Sequence, residues 1–101
     1  MAYGYIIVDM QITDMDQYKQ YMASAPESVA QAGGEYLARG GVLEVMEGDW
    51  KPGRMAMLRF PTVDRAKAWY HGERYARARA QRAGATKFFN MVLLEGVAAP
   101  V

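Results

Sequence analysis

Arg39, five aromatic residues and one histidine hold most of the chemistry open to this 101-residue chain. Arg39 stands immediately before Gly40-Gly41. If the paired glycines let the backbone approach closely, the guanidinium can present its planar fork to a carboxylate. The structural alternative is an ion pair with Glu35, Glu44 or Glu47. The glycines do not make a phosphate loop, because no Lys-Ser/Thr pair follows and a strand pattern comes next. Trp69, Tyr70 and Tyr75 fall on or just after one helical stretch, and with Tyr5, Tyr36 and Arg39 they can wall a cleft between sheet and helices. Aromatic walls with a few polar tips suit a small, partly apolar organic molecule. The structural alternative for Trp69 is a core plug. His71, the only histidine, could move a proton at neutral pH, sit as a cap at a helix end, or supply a single axial ligand to haem. Nothing else in the sequence specifies haem, and no cofactor is expected. There is no His-x-x-x-His and no carboxylate cluster of defined spacing, so no metal site is expected. Ser24 lacks the His-Asp context of a hydrolase triad.

Such residues need a scaffold, and composition bounds it. At 51% hydrophobic and 23% charged, the chain reads as one globular domain over residues 1–97, with 98–101 as a tail. The absence of cysteine excludes a disulfide framework, thiolate zinc and a thiol nucleophile, and fits a reducing, cytoplasmic compartment. No basic stretch leading into an apolar one opens the chain, so a secretory signal is not expected. The longest apolar runs, Tyr5–Val8 and Met91–Leu94, fall far short of the roughly 20 residues of a membrane span, so no membrane partner is expected. Net charge is only +1, but residues 1–53 hold three basic against eight acidic groups and residues 54–101 nine against three. The two halves attract, within one chain or between two copies. A near-neutral total without a recognisable motif argues against nucleic acid.

The elements follow from pattern. Tyr3–Ile12 reads as a strand. Thr13 is the expected N-cap of the next helix, with Asp16 completing an approximate capping box. Met15, Tyr18, Tyr21, Met22 and Ala25 form its apolar stripe. Pro26 is expected to kink or split that helix before it stops at Gly33-Gly34. A second strand starts at Glu35, breaks at Gly40-Gly41 and resumes over Val42–Met46. Arg54–Phe60 is the third strand. Thr62 caps a helix from Val63 to about Tyr70, and Gly72 separates it from a helical piece over Glu73–Ala83 whose Arg74–Arg82 run reads as a solvated face. Thr86–Leu94 is the last strand. The fold class is α+β, a ferredoxin-like βαββαβ arrangement. Two right-handed crossovers put both helical stretches on one face of a four-stranded antiparallel sheet ordered fourth, first, third, second. Asp9 and Arg59 are candidates for a cross-strand ion pair, Asn90 for a buried polar group needing partners, and Glu47 with Arg54 for tying a hairpin closed.

A sheet wet on one side should alternate apolar and polar residues. These strands do not. Tyr3, Tyr5 and Ile7 oppose Ile6, Val8, Met10 and Ile12; Met55 and Met57 oppose Ala56, Leu58 and Phe60; Phe89, Met91 and Leu93 oppose Phe88, Val92 and Leu94. The helices can cover only one side. A second copy is the simplest cover for the other, which predicts a homodimer joined through the second sheet face, the dimeric α/β-barrel arrangement.

Three stretches suggest a family: Gly33-Gly34-Glu35-Tyr36-Leu37-Ala38-Arg39-Gly40-Gly41, Glu47-Gly48-Asp49-Trp50-Lys51-Pro52-Gly53-Arg54, and Arg59-Phe60-Pro61 followed by Ala66 and Ala68-Trp69-Tyr70. With Glu73-Arg74-Tyr75, Arg82 and the closing Glu95-Gly96, they resemble the domain-of-unknown-function family numbered thirteen-thirty over nearly the whole chain. The resemblance implies the dimeric α/β-barrel superfamily and no particular reaction. The expected function is binding of a small organic metabolite, anionic or aromatic, in a cleft beside each sheet. The rival expectations are a cofactor-independent enzyme, monooxygenase- or isomerase-like, in which Arg39 holds an anion while a tyrosine or His71 moves a proton, and a structural dimer without turnover.

Overall fold

The computed structural model describes residues 2–98, so all but the first residue of the expected tail lies outside it. Four strands and three helices follow in the order β1 (Gly4–Ile12), α1 (Met15–Gln31), β2 (Glu35–Arg39), β3 (Arg54–Phe60), α2 (Val63–His71), α3 (Glu73–Gln81) and β4 (Thr86–Glu95). The strands form one antiparallel sheet ordered β2-β3-β1-β4, as the crossover rule requires. No described helix is long and apolar enough to cross a membrane.

Alternation along the strands sets the two faces. Ile6, Val8 and Met10 of β1 and Ala56, Leu58 and Phe60 of β3 are buried beneath the helices. They meet Tyr18, Ala25 and Val29 of α1, Ala66 and Trp69 of α2, and Tyr75 and Ala78 of α3 in one core. Trp69 lies between Phe60 and Tyr75, with ring centroids 5.1 and 4.2 Å away, and its Nε1 donates to Ser28 Oγ at 3.0 Å.

Helix α1 departs from expectation at both its cap and its middle. Thr13 and Asp14 both donate their backbone N–H to the Ala85 carbonyl, which still binds Thr13 to the approach of β4. Asp14 is therefore the cap, its Oδ1 accepting from Gln17 N at 3.1 Å. Pro26 lies inside a single 17-residue helix rather than dividing it. Proline has no N–H, so the carbonyl four residues earlier, that of Met22, loses its helical donor. Arg39 supplies a replacement: its Nη2 donates to Met22 O at 3.2 Å. The α2 cap is as read from the sequence, with Thr62 Oγ1 accepting from Arg65 N at 3.0 Å.

The second strand ends at Arg39 and does not resume over Val42–Met46. Gly40, at φ 66°, turns the chain out of the sheet, and a Cβ there would sit 2.6 Å from Arg54 Nε. Arg54 thus packs under Gly40; among the described residues it has no ion pair with Glu47. Residues 40–53 run outside the sheet and return at Gly53, where a Cβ would collide with the Met10 carbonyl. Asp9 holds that return, accepting from Gly53 N at 2.8 Å and from Trp50 Nε1 at 3.3 Å. Asp9 and Arg59 share a face but not a neighbourhood: Asp9 lies opposite Met55, and Arg59 lies opposite Tyr5 and pairs with Glu35. Asn90 is exposed, opposite Asp9.

The open face carries Tyr5 and Ile7 of β1, Met55 and Met57 of β3, and Phe88, Val92 and Leu94 of β4, with Val92 57% and Leu94 58% exposed. The molecule is only 17 Å across its shortest axis, one sheet and one helical layer. It exposes 6767 Å², where a compact monomer of its 11.3 kDa mass would expose about 5,700 Å².

The proline substitute is testable by a double-mutant cycle in urea denaturation. Arg39→Ala should cost about 1 kcal/mol in the native background, the usual scale of a hydrogen bond. In the Pro26→Ala background, where the restored backbone N–H of that position reaches Met22 O, the same change should cost measurably less. Equal costs in both backgrounds would remove Arg39 from the helix's account.

Candidate functional site

Both layers contribute to a cleft between sheet and helices. From α1 come Tyr18, Tyr21 and Met22, spaced so that all three project toward the sheet. From β2 come Tyr36 and Arg39, and from β3 comes Arg54, on the same face as Ala56 and Leu58. Phe89 and Met91 of β4 and the Trp69 edge complete the wall. The enclosed space is about 30 Å³, room for roughly one water. Met10, Met22 and Met91 line it, and unbranched thioether chains rearrange at low cost.

The hydroxyls form a graded set. Tyr21 and Tyr75 share a hydrogen bond of 2.8 Å, and Arg82 Nη2 donates to the Tyr75 hydroxyl at 3.4 Å. The Arg82 guanidinium lies 3.5 Å from the centre of the Phe89 ring, a cation–π contact, and its buried Nε has no partner among the described residues. Tyr18 donates to Met10 Sδ at 2.7 Å. Burial raises the Tyr18 pKa to about 12. Burial and the neighbouring Tyr75 raise that of Tyr21 further, and burial raises that of Tyr36 against the opposing pull of Arg39. All three phenols are neutral at physiological pH, so the cleft offers hydrogen-bond donors and no phenolate base.

Its mouth is cationic. Among the described residues Arg39 makes one hydrogen bond, to Met22 O, and stacks 4.9 Å from the Tyr36 ring centre. Among the described residues neither Arg39 nor Arg54 pairs with a carboxylate, and the ion pair with Glu35, Glu44 or Glu47 weighed for Arg39 does not form. Glu35 is taken by Arg59 instead.

The residues singled out from sequence divide among three places. Arg39, Tyr36 and Trp69 line the cleft, and Tyr75 backs it through Tyr21. Tyr70 and His71 lie on the other side of α2, in a groove of about 300 Å³ with Ile6, Lys67, Met91 and Leu93. His71 is exposed there, edge-on to Tyr70 at 5.2 Å. Tyr5 is on the open face, because it is out of phase with Ile6 and Val8. Of the cleft's polar residues, Tyr18, Tyr21 and Arg54 escaped the sequence reading, as did Arg82, which backs the cleft through Tyr75 and Phe89. Tyr18 and Tyr21 belonged to a stripe read as core, and the phase of Arg54 with Ala56 and Leu58 was the available signal for it. Arg82 belonged to a run read as solvated. Among the described residues no three His, Asp or Glu side chains cluster as metal ligands.

The buried phenols make alkaline stability a probe of the site. Each is neutral in the folded state above pH 10, where the unfolded chain already ionises it, so the unfolded state binds fewer protons there. Stability should be intact below pH 10 and fall as pH rises toward about 12, the Tyr18 value. Tyr21→Phe should flatten that fall, measured by urea denaturation at pH 9 and pH 11. A slope unchanged by Tyr21→Phe would contradict the burial of its hydroxyl.

Comparison with known proteins places the fold and the family. No curated protein matches the chain. A protein of unknown function from Rhodopseudomonas palustris superposes with a TM-score of 0.77 at 13% identity, over 97% of this chain and 85% of its own. A dimeric ferredoxin-like protein of unknown function from Jannaschia sp. CCS1 gives 0.67 at 16%, over 92% and 98%. A Nitrosomonas europaea protein, provisionally described as an antibiotic biosynthesis monooxygenase, gives 0.56 at 14%, over 95% and 90%. At such identities these likenesses speak to architecture, which is ferredoxin-like. The sequence itself matches a domain of unknown function, DUF1330, over residues 3–97, and the chain belongs to that family.

Proposed function

We propose that the chain works as a homodimer joined through its open sheet face, each copy binding a small organic carboxylate in the cleft behind its own sheet. The observation that carries the ligand reading is Arg39: a guanidinium at the mouth of an aromatic cleft, engaged among the described residues only by a backbone carbonyl and a ring face. Arg54 stands beside it as a second cation without a carboxylate partner among the described residues. A carboxylate held by the two would direct an apolar or aromatic body toward Tyr36, Met22 and Phe89. Neutral phenols behind it would donate hydrogen bonds to a carbonyl or hydroxyl at the ligand's far end. Entry requires the methionine side chains to move, since the closed cleft holds about one water. A chain without cysteine suits work in the cytoplasm, and that is the location we assign to it.

The dimer reading is supported by the apolar open face and by area. The surface in excess of a compact monomer is about 1,000 Å², against the roughly 800 Å² that each partner buries in a standard interface. The Jannaschia protein of the same fold is described as dimeric.

Two measurements test this reading. In thermal denaturation, saturating benzoate should raise the midpoint while neutral benzamide should not, because only binding to the folded state stabilises it. Arg39→Gln should weaken benzoate binding about tenfold or more, the scale of a lost charge-assisted hydrogen bond. Equal shifts with benzoate and benzamide, or none with either, would overturn the carboxylate site. Light scattering on a sizing column at micromolar protein should give twice the chain mass, and Val92→Asp should lower it toward one chain. A native chain that runs as a monomer would overturn the dimer.

A further inference from the structure

The excursion between β2 and β3 is anchored at both ends and unsupported between them. At the outgoing end Gly40 N donates to Met55 O at 2.8 Å, with Arg54 packed underneath. At the returning end Asp9 accepts from both Trp50 and Gly53. Between these anchors Val42 is fully exposed and Met46 is 85% exposed; Leu43 and Val45 are also exposed. Four aliphatic side chains in five consecutive positions are a poor composition for a solvated loop, where Gly, Pro, Asn, Asp and Ser prevail. The segment belongs to no strand and packs into no part of the core.

We infer that residues 42–46 form a clasp that seats on a second copy of this chain, each copy's arm lying over the other's open sheet face. This rests on the dimer reading and names the element that secures it. Two observations point to a second copy. Out and back over fourteen residues, the arm can reach up to about 20 Å, beyond the roughly 10 Å that separates stacked sheets. The open face ends at the edge strand β4, where Val92 and Leu94 stand more than half exposed, an apolar landing for the arm's aliphatic side chains.

The test replaces Val42, Leu43, Val45 and Met46 together by serine and follows sedimentation equilibrium over a dilution series, with circular dichroism to verify the fold. None of the four touches the core, so the monomer should fold unchanged. The dimer dissociation constant should rise at least about 100-fold, a loss of about 2.7 kcal/mol of association energy. Hydrogen exchange supplies a second readout on the native chain: amides of 42–46 should be protected in the dimer and lose protection on dilution to monomer. A native dimer whose affinity survives the fourfold substitution, or whose arm amides exchange as freely as in the monomer, would overturn the clasp and leave the dimer standing. A native chain monomeric throughout the dilution series would overturn both.

Discussion

A carbonyl without its helical donor organises much of this molecule. Pro26 cannot bond to Met22 O, and an uncompensated gap in the middle of α1 would invite a bend or a break there. Arg39 reaches from the end of β2 to fill it. The contact fastens the sheet's edge strand to the helix above it, although the two elements are separated by a turn and share little apolar surface. It also fixes where the charge of Arg39 resides. A guanidinium tethered by one Nη2 keeps its other N–H groups free, and the tether holds them at the rim of the cleft. The same hydrogen bond therefore keeps the helix whole and fixes the cation at the rim of the cleft.

A second constraint is thickness. A four-stranded sheet with helices on one side is 17 Å deep, and its other side is not built for water. Polar groups on that side are confined to particular positions: Arg59 and Glu35 pair at one end, and Asp9 gathers the returning arm at the other. Between them lie Ile7, Met55 and Met57, flanked by Val92 and Leu94. A face with polar ends and an apolar middle has the layout of an interface, with a dry centre and a wetter rim.

The sheet order, the Thr62 cap, the stop at Gly72 and the division of the first, third and last strands into two apolar faces were legible in the sequence, because each follows from period or from single-residue geometry. The misplaced features depend on contacts remote in the chain. Thr13 lost the cap of α1 because Ala85, more than seventy positions away, holds its backbone. Pro26 failed to divide α1 because Arg39 compensates for it. Val42–Met46 has the composition of a strand but no neighbouring strand to pair with in its own chain. The cleft was legible in part. Arg39, Tyr36 and Trp69 were found by type, while Tyr18 and Tyr21 were hidden among core residues of the same stripe. Tyr70 and His71 follow Trp69 directly in the chain, yet each successive helical residue turns by about 100°, enough to face them into a different groove.

The arm's two roots are inextensible. Gly53 lies so close to the Met10 carbonyl that no side chain fits, and Gly40 is wrapped by Arg54. Gly53 cannot slide by one residue without dragging β3 out of register with β1, which would turn Ala56, Leu58 and Phe60 away from the helices, and Gly40 cannot slide without shifting β2 against β3. Insertions and deletions in this region are consequently confined to the tip, between Val42 and Asp49, where chain length can drift while the sheet beneath keeps its alignment.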